Sequence, residues 1–371
     1  MLIGVPKEIK SHENRVGLVP SSVRELIAYG HHVVVESSAG IGIGIEDDDY
    51  QEAGAKILNS AQEVFACADM IVKVKEPQPE ECKMLRAGQI LFTYLHLAPD
   101  PDQAKGLIAS DAIAIAYETV TDDRGGLPLL SPMSEVAGRM SIQAGTHCLE
   151  KMQGGRGILL GGVPGVAPAD VVVLGGGVVG TNALRVAIGM EARVTVVDKS
   201  LQRLRELDFR FGNQLNTIFA TQYAIEHYVS KADLVIGAVL VPGAAAPKLV
   251  NRQLLQKMRP GAVVVDVAID QGGCFESSRP TTHAHPTYVE SGVVHYCVTN
   301  MPGAVARTAT FALNNATLPF VLAIANKGYR QALMDDMHLR NGLNIYRGQV
   351  TYKAVAEELG HNYIEPLIAL V

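Results

Sequence analysis

Short runs of apolar residues alternate with stretches of helical period along most of the chain. In the first third the apolar runs are "LIGV" (2–5), "HVVVES" (32–37), "MIVKVK" (70–75), "ILFTYLH" (90–96) and "AIAIAYET" (112–119). "PSSVRELIAYG" (20–30) has helical spacing, and Gly30 is a natural stop for it. Strands that are apolar on both faces, with helices between them, predict a mainly parallel sheet covered on both sides. The texture changes at "TDDRGGLPLLSPMS" (121–134), which is rich in turn formers and reads as a linker. A long helix is expected from Ser131 or Ser134 to about Met152, stopping at Gly154-Gly155. A second series follows, with expected strands "VVVLG" (171–175), "RVTVVD" (193–198), "DLVIGAVL" (233–240), "AVVVDVAID" (262–270) and "VVHYCVT" (293–299). Beyond "NMPGAVARTAT" (300–310) the chain reads as mostly helical.

One run is oddly composed. In "IVKVKEPQ" (71–78), Lys73 and Lys75 share a face of an extended chain, and Glu76-Pro77 ends the run. Lysine is seldom fully buried, so two of them at a strand end ask for a reason.

The glycines of "VVVLGGGVVGTNALRVAIGMEARVTVVD" (171–198) supply a first piece of chemistry. Gly175, Gly177 and Gly180 match G-x-G-x-x-G, with a valine-rich strand before, an amphipathic helix after, and a second strand ending in Asp198. Gly175 permits the tight turn, Gly177 lets backbone approach a pyrophosphate, and Gly180 lets helix and strand pack closely. The helix N-terminus offers N–H donors to the phosphates. Asp198 is placed to accept hydrogen bonds from ribose hydroxyls and to repel a 2′-phosphate, which favours NAD over NADP. The competing reading, a glycine turn in an ordinary α/β domain, leaves the strand, helix and acid in register without explanation. Arg203 reads either as a flank of the adenine end or as a solvated helix charge.

The expected fold class is α/β, with two doubly wound Rossmann-type domains facing across a cleft. The glycine-loop domain is expected to span 131–304. The helical tail is expected to return to the first domain, making it discontinuous as 1–130 plus 305–371.

Composition narrows the classes. A length of 371 residues suits two domains, and 48% hydrophobic with 19% charged residues describes a globular chain. The net charge of −6 and the absence of any basic block argue against a nucleic-acid binder. Five scattered cysteines without a C-x-x-C pair read as thiols in a reducing compartment. "MLIGVPKEIK" lacks a signal-peptide core, and the apolar stretch 157–180 is broken by prolines, Asp170 and glycines. A soluble, cytoplasmic protein without membrane spans is expected. "TTHAHPT" (281–287) offers two histidines without a third ligand, so no metal site is expected.

Ligands of open α/β sheets bind beyond the carboxyl ends of the strands, so polar residues there are candidates. They are Arg15, Lys75, His96, Asp270 and Asn300. Each has a plainer reading: a surface charge, a snorkelling lysine, a core histidine, a turn cap. Convergence favours function. Two cations suit a substrate carboxylate. A histidine and a carboxylate suit proton traffic. The set fits hydride exchange on a small amino or hydroxy acid.

The segments "MLIGVPKEIKSHENRVGLVP", "VKVKEP", "LFTYLHLA", "GGVPGVAPADVVVLGGGVVGTNA" and "AIDQGGCFESSRPTTH" with "NMPGAVARTAT" resemble the alanine dehydrogenase and pyridine nucleotide transhydrogenase family over essentially the whole chain. Within it the chain resembles alanine dehydrogenase more than the soluble nucleotide-binding part of a proton-translocating transhydrogenase. The resemblance implies reversible NAD-dependent oxidative deamination of L-alanine to pyruvate and ammonium. It implies substrate binding by Arg15 and Lys75 and catalysis by His96 and Asp270. Hydride leaves Cα, and water adds to the resulting imine with help from Asp270 and His96. It carries cofactor contacts onto Ser134, Val178, Val179, Asp198, Arg203, Val239, Leu240, Val267, Ala268, Ile269, Asp270, Arg279, Val298, Thr299, Asn300 and Met301. Ala220 stands where a serine contact is expected. A homohexamer is implied as well. Of the lysine pair, the resemblance selects Lys75 and leaves Lys73 as a charge at the rim or behind the substrate ligands, near the substrate in the second case, whose loss should hurt far less than that of Lys75.

Overall fold

The computed structural model describes residues 1–239 and 246–371. The chain divides into two compact units, 1–133 with 305–371, and 134–304. Strands are numbered along the chain. The first unit holds β1 (Leu2–Val5), β2 (His32–Glu36), β3 (Lys56–Leu58), β4 (Met70–Val72), β5 (Ile90–Thr93) and β6 (Ile113–Ala116). The second holds β7 (Asp170–Leu174), β8 (Arg193–Asp198), β9 (Leu215–Phe219), β10 (Leu234–Gly237), β11 (Val263–Asp266), β12 (Thr287–Glu290) and β13 (Val293–Tyr296). The tail adds β14 (Leu343–Tyr346) and β15 (Gln349–Val350) to the first.

The two sheets share one plan. The first runs β3-β2-β1-β4-β5-β6-β14-β15 and the second β9-β8-β7-β10-β11-β13-β12. Counting parallel strands alone, with β12 left out of the second sheet, each contains the doubly wound order 3-2-1-4-5-6. Pairing is parallel except for β14 on β6, β15 on β14 and β12 on β13. Central strands such as β5, β6 and β11 are buried at every position, as continuous apolar runs require. The strand order reverses between β1 and β4 in one sheet, and between β7 and β10 in the other. These are the switch points where ligands bind.

Several elements depart from the sequence expectation. The strand of "MIVKVK" ends at Val72, and that of "AVVVDVAID" at Asp266, so Lys73, Lys75 and Asp270 all lie beyond strand ends. The tail is not purely helical, since β14 and β15 extend the first sheet. The helix at the unit boundary runs Ser131–Cys148, followed by a 3₁₀ turn at Lys151–Gln153.

Among the described residues one helical stretch, Met301–Lys327, is long and apolar enough to cross a membrane. Its helix Ala306–Lys327 is a core element of the first unit. Asn314 is buried there; its Oδ1 accepts from Val19 N (3.1 Å) and Ser22 Oγ (2.5 Å), and its Nδ2 donates to Gly17 O (2.6 Å). Buried polar groups satisfied within the protein are what a core helix carries.

Candidate active site and nucleotide site

In the first unit, adjacent strands β1, β4 and β5 deliver the sequence candidates to one end of the sheet. Arg15 is only 2% exposed, and its guanidinium is gripped by Glu13. Nε donates to Glu13 Oε1 at 2.7 Å and Nη2 to Oε2 at 2.6 Å, while Nη1 reaches Met133 Sδ at 3.1 Å. Burial pushes the Glu13 carboxyl up, but the hydrogen bonds and charge of Arg15 outweigh it and hold it below the ordinary range. Glu13 was not foreseen; its one signal is a carboxylate two residues before an arginine in "ENR".

Lys75 is half-buried, and burial, with added repulsion from Arg15 and Lys10, pulls its ammonium below the ordinary lysine range. Of the two places expected for Lys73, the rim is excluded. The lysine is 1% exposed and ion-paired to Glu81 (2.6 Å) and Glu8 (3.1 Å). Burial pulls Lys73 down, yet the two carboxylates outweigh it and keep it charged. Alternation alone could not reveal this, because Glu8 comes from far away in sequence and Glu81 from the following helix, Pro79–Met84.

His96 is exposed, with a backbone φ of 49° in the left-handed region that non-glycine residues rarely adopt. Glu118 stabilises that bend. Its Oε1 accepts from His96 N at 2.6 Å, and Leu95 N also donates to it at 3.2 Å. The ring stacks on Tyr94 with centroids 5.8 Å apart and planes 6° apart. Tyr94 is itself buried and donates to Leu129 O at 2.5 Å. Strained backbone persists only where its surroundings enforce it, often at functional sites.

In the second unit the glycine loop follows β7. Gly175 has φ 97°, and a Cβ on Gly180 would lie 1.9 Å from Gly175 O. A Cβ on Gly177 would meet nothing within 4 Å, so the space in front of this glycine is open. The helix Val178–Gly189 starts there, and its first-turn N–H groups, those of Val178 and Val179 among them, point out of the helix. Asp198 ends β8, with Oδ2 accepting from Gly176 N at 2.6 Å and Oδ1 from Ser200 N at 2.8 Å. Each oxygen retains a lone pair for a further donor.

Arg203 is half-buried and anchored beside the glycine loop. Its Nε donates to Gly176 O (2.6 Å) and its Nη2 to Thr181 Oγ1 (2.6 Å), tying the following helix to the glycine loop.

The remaining candidates of this unit also sit beyond strand ends. Val239 follows β10; Leu240 lies outside the described residues. Val267, Ala268, Ile269 and Asp270 follow β11, and Asp270 is exposed on a single 3₁₀ turn, Ile269–Gln271. That loop is stapled by Asp266, which is fully buried. Its carboxylate accepts from Ala268 N (3.1 Å), Cys274 N (2.9 Å) and Ser278 Oγ (2.5 Å). Burial raises its pKa, and these bonds offset only part of the rise. Val298, Thr299, Asn300 and Met301 follow β13, and Asn300 has φ 58°. Arg279 is exposed, its guanidinium 4.1 Å from the centre of the Tyr288 ring. Ser134 is half-buried in the first turn of Ser131–Cys148, and Ala220 packs against the second unit's core. A recess of about 820 Å³ lies at the opposite, amino end of this sheet, and none of the candidates lines it.

The glycine cradle, open N-terminus and Asp198 fit a dinucleotide: pyrophosphate on the helix end, ribose on the acid. Fold and site therefore define a dinucleotide-binding α/β protein with two doubly wound units. Residues 4–137 match the family model of the alanine dehydrogenase/PNT N-terminal domain, and residues 141–353 that of the C-terminal domain. The chain belongs to the alanine dehydrogenase/PNT family. It is 61% identical to an alanine dehydrogenase of Halomonas elongata over 98% of both chains. A solved L-alanine dehydrogenase superposes with a TM-score of 0.95 at 52% identity, covering 97% of this chain and 99% of that one. A transhydrogenase structure from Sinorhizobium meliloti, at 24% identity and a TM-score of 0.82, shares the fold.

Proposed function

We propose that this chain catalyses the reversible NAD-dependent oxidative deamination of L-alanine to pyruvate and ammonium. The observation that carries the reading is the full-length match, at 61% identity, to an alanine dehydrogenase. The polar residues at the strand ends supply the chemistry. Arg15, rigid in the grip of Glu13, and Lys75 bind the substrate carboxylate. Burial makes the Lys75 ammonium a stronger acid and so a stronger hydrogen-bond donor, and Lys75 also polarises the pyruvate carbonyl in the reverse direction. His96 and Asp270 move protons on the water that adds and the ammonia that leaves.

When bound, NAD supplies the hydride acceptor. Val178 and Val179 offer backbone donors to its pyrophosphate and Asp198 holds the adenosine ribose. Ser134, Val239, Leu240, residues 267–270, Arg279 and residues 298–301 complete the contacts. Residues 134–304 act as the nucleotide-binding domain, and 1–133 with 305–371 as the substrate domain. The protein works as a cytoplasmic homohexamer. Exposed Leu367 and Ile368, apolar residues on the C-terminal helix, support self-association, and sedimentation of the purified protein tests it.

The activity test is direct. Purified protein mixed with pyruvate, ammonium and NADH should consume NADH; folded protein without turnover would overturn the reading.

A further inference from the structure

Past the ends of β4 at Val72 and β1 at Val5, two backbone bonds still tie the chain to the β5 segment, Lys73 N to Phe92 O at 3.2 Å and Tyr94 N to Val74 O at 3.3 Å, but at Lys75 itself the partners change. Side chains take over. Glu8 Oε1 accepts from Val74 N at 2.6 Å and from Lys75 N at 3.2 Å. Thr93 Oγ1 donates to Lys75 O at 2.9 Å. The other oxygen of Glu8 accepts from Lys73 Nζ at 3.1 Å, and Lys73 also donates to Glu81 Oε1 at 2.6 Å. Glu81 Oε2 in turn accepts from Gln78 N at 2.7 Å. Two buried carboxylates bridged by one buried ammonium thus hold three amides between residues 74 and 78.

Stability alone does not account for this arrangement. Buried ion clusters lose so much hydration that apolar replacements of similar shape are often as stable or more so. One ammonium also serves two carboxylates, and burial leaves the Glu8 carboxyl above its ordinary range. What the cluster does provide is a fixed backbone at Lys75.

We propose that Glu8 is a positioning residue for Lys75, locked in place by Lys73 and Glu81. The lysine pair then divides its labour: Lys73 is the buried bolt and Lys75 the substrate ligand. The inference rests on the reading of Lys75 as a carboxylate ligand. It extends that site to three residues that never meet the substrate.

The test compares E8Q, the neutral triple variant E8Q/K73M/E81Q, and K75A. In E8Q the new amide still accepts from the backbone, but its NH₂ faces the Lys73 ammonium, donor against donor. The triple variant removes that clash and keeps an acceptor for the amides of residues 74 and 75. A displaced ligand costs on the order of tenfold to a hundredfold in such sites. E8Q should therefore raise KM for pyruvate and L-alanine by on the order of tenfold or more, with KM for NADH unchanged. The triple variant should recover most of that loss. An E8Q protein with a lower melting temperature but unchanged KM for pyruvate would overturn the inference, as would a triple variant with no recovery. If E8Q does not fold, E81Q provides the same KM comparison. K75A separates the two levels. If K75A stays active, the reading of the site fails; if K75A is dead and E8Q binds pyruvate normally, only the positioning role fails.

Discussion

A lysine whose charge is disfavoured in the folded protein must cost stability wherever it is charged. Lys75 is such a residue, since burial comes first among the effects lowering its pKa. The unfolded chain then binds the proton more tightly than the folded one. The penalty is fully present below the folded pKa and disappears as pH rises past the ordinary lysine value of 10.5. K75M should therefore melt higher than the parent at neutral pH, with the gap closing toward pH 10.5, while activity is lost. Thermal melts across that range check it, and a parent more stable than K75M at neutral pH would contradict it. Lys73→Ala, in the same melts, should do the reverse. Removing one partner from a buried ion cluster costs ~3–5 kcal/mol, because Glu8 and Glu81 are left buried without their cation. Lys73 thereby carries a structural role that its place in the sequence does not show. Alternation places both lysines on one face, but only tertiary packing tells a bolt from a ligand. Glu8 and Glu118 were equally invisible, since each acts through partners far away in the sequence, whereas Glu13 sits only two residues before Arg15.

At the scale of elements, the strands most legible in the sequence were the central ones. Their valine-rich runs are buried on both faces, and their parallel pairing follows from the alternation with helices. The runs overshoot, because apolar residues beyond a strand end also bury. Val74 and Leu95 are fully buried although β4 and β5 have ended. The strands that escaped notice are short or at edges: "KIL", "LNTIF", "TYVE", "LNIY" and "QV" carry no long continuous apolar run. The glycine loop was legible in full because its chemistry is local, and it yields a sharp prediction. Gly180→Ala places a methyl group 1.9 Å from Gly175 O, closer than atoms can approach, so helix and loop must separate. Overpacking of this kind costs ~1–3 kcal/mol, and the displaced helix N-terminus should bind NADH at least tenfold more weakly. Fluorescence titration with NADH measures this. Unchanged affinity would mean that the close contact does not shape the nucleotide site.

Across the whole molecule, two sheets with the same order of parallel strands carry most of the candidates at or beyond the carboxyl ends of their strands. The proposed reaction draws on both units, so loss of either should abolish it, and acid offers a way to weaken the second. His295 on β13 is fully buried between Ser277 Oγ, 2.8 Å from Nε2, and Val293 O, 2.9 Å from Nδ1. Its ring also stacks on Tyr288. Burial, reinforced by the charges of Arg279 and Arg252, lowers its pKa from 6.5 to about 4. The unfolded chain therefore takes up a proton below pH 6.5 that the folded unit refuses until about pH 4. Stability is intact above 6.5 and falls as the pH drops between those values, by about 2 kcal/mol at pH 5 from this group alone. His295→Gln, which cannot titrate, should be less stable than the parent at pH 7 for want of the imidazole's fit. Its melting temperature should then fall less steeply between pH 7 and 4.5. The carboxylates that also titrate in this range are common to both proteins and cancel in the difference. Parallel melting curves for parent and variant would show that His295 accepts its proton in place, and that the acid sensitivity of the unit lies elsewhere.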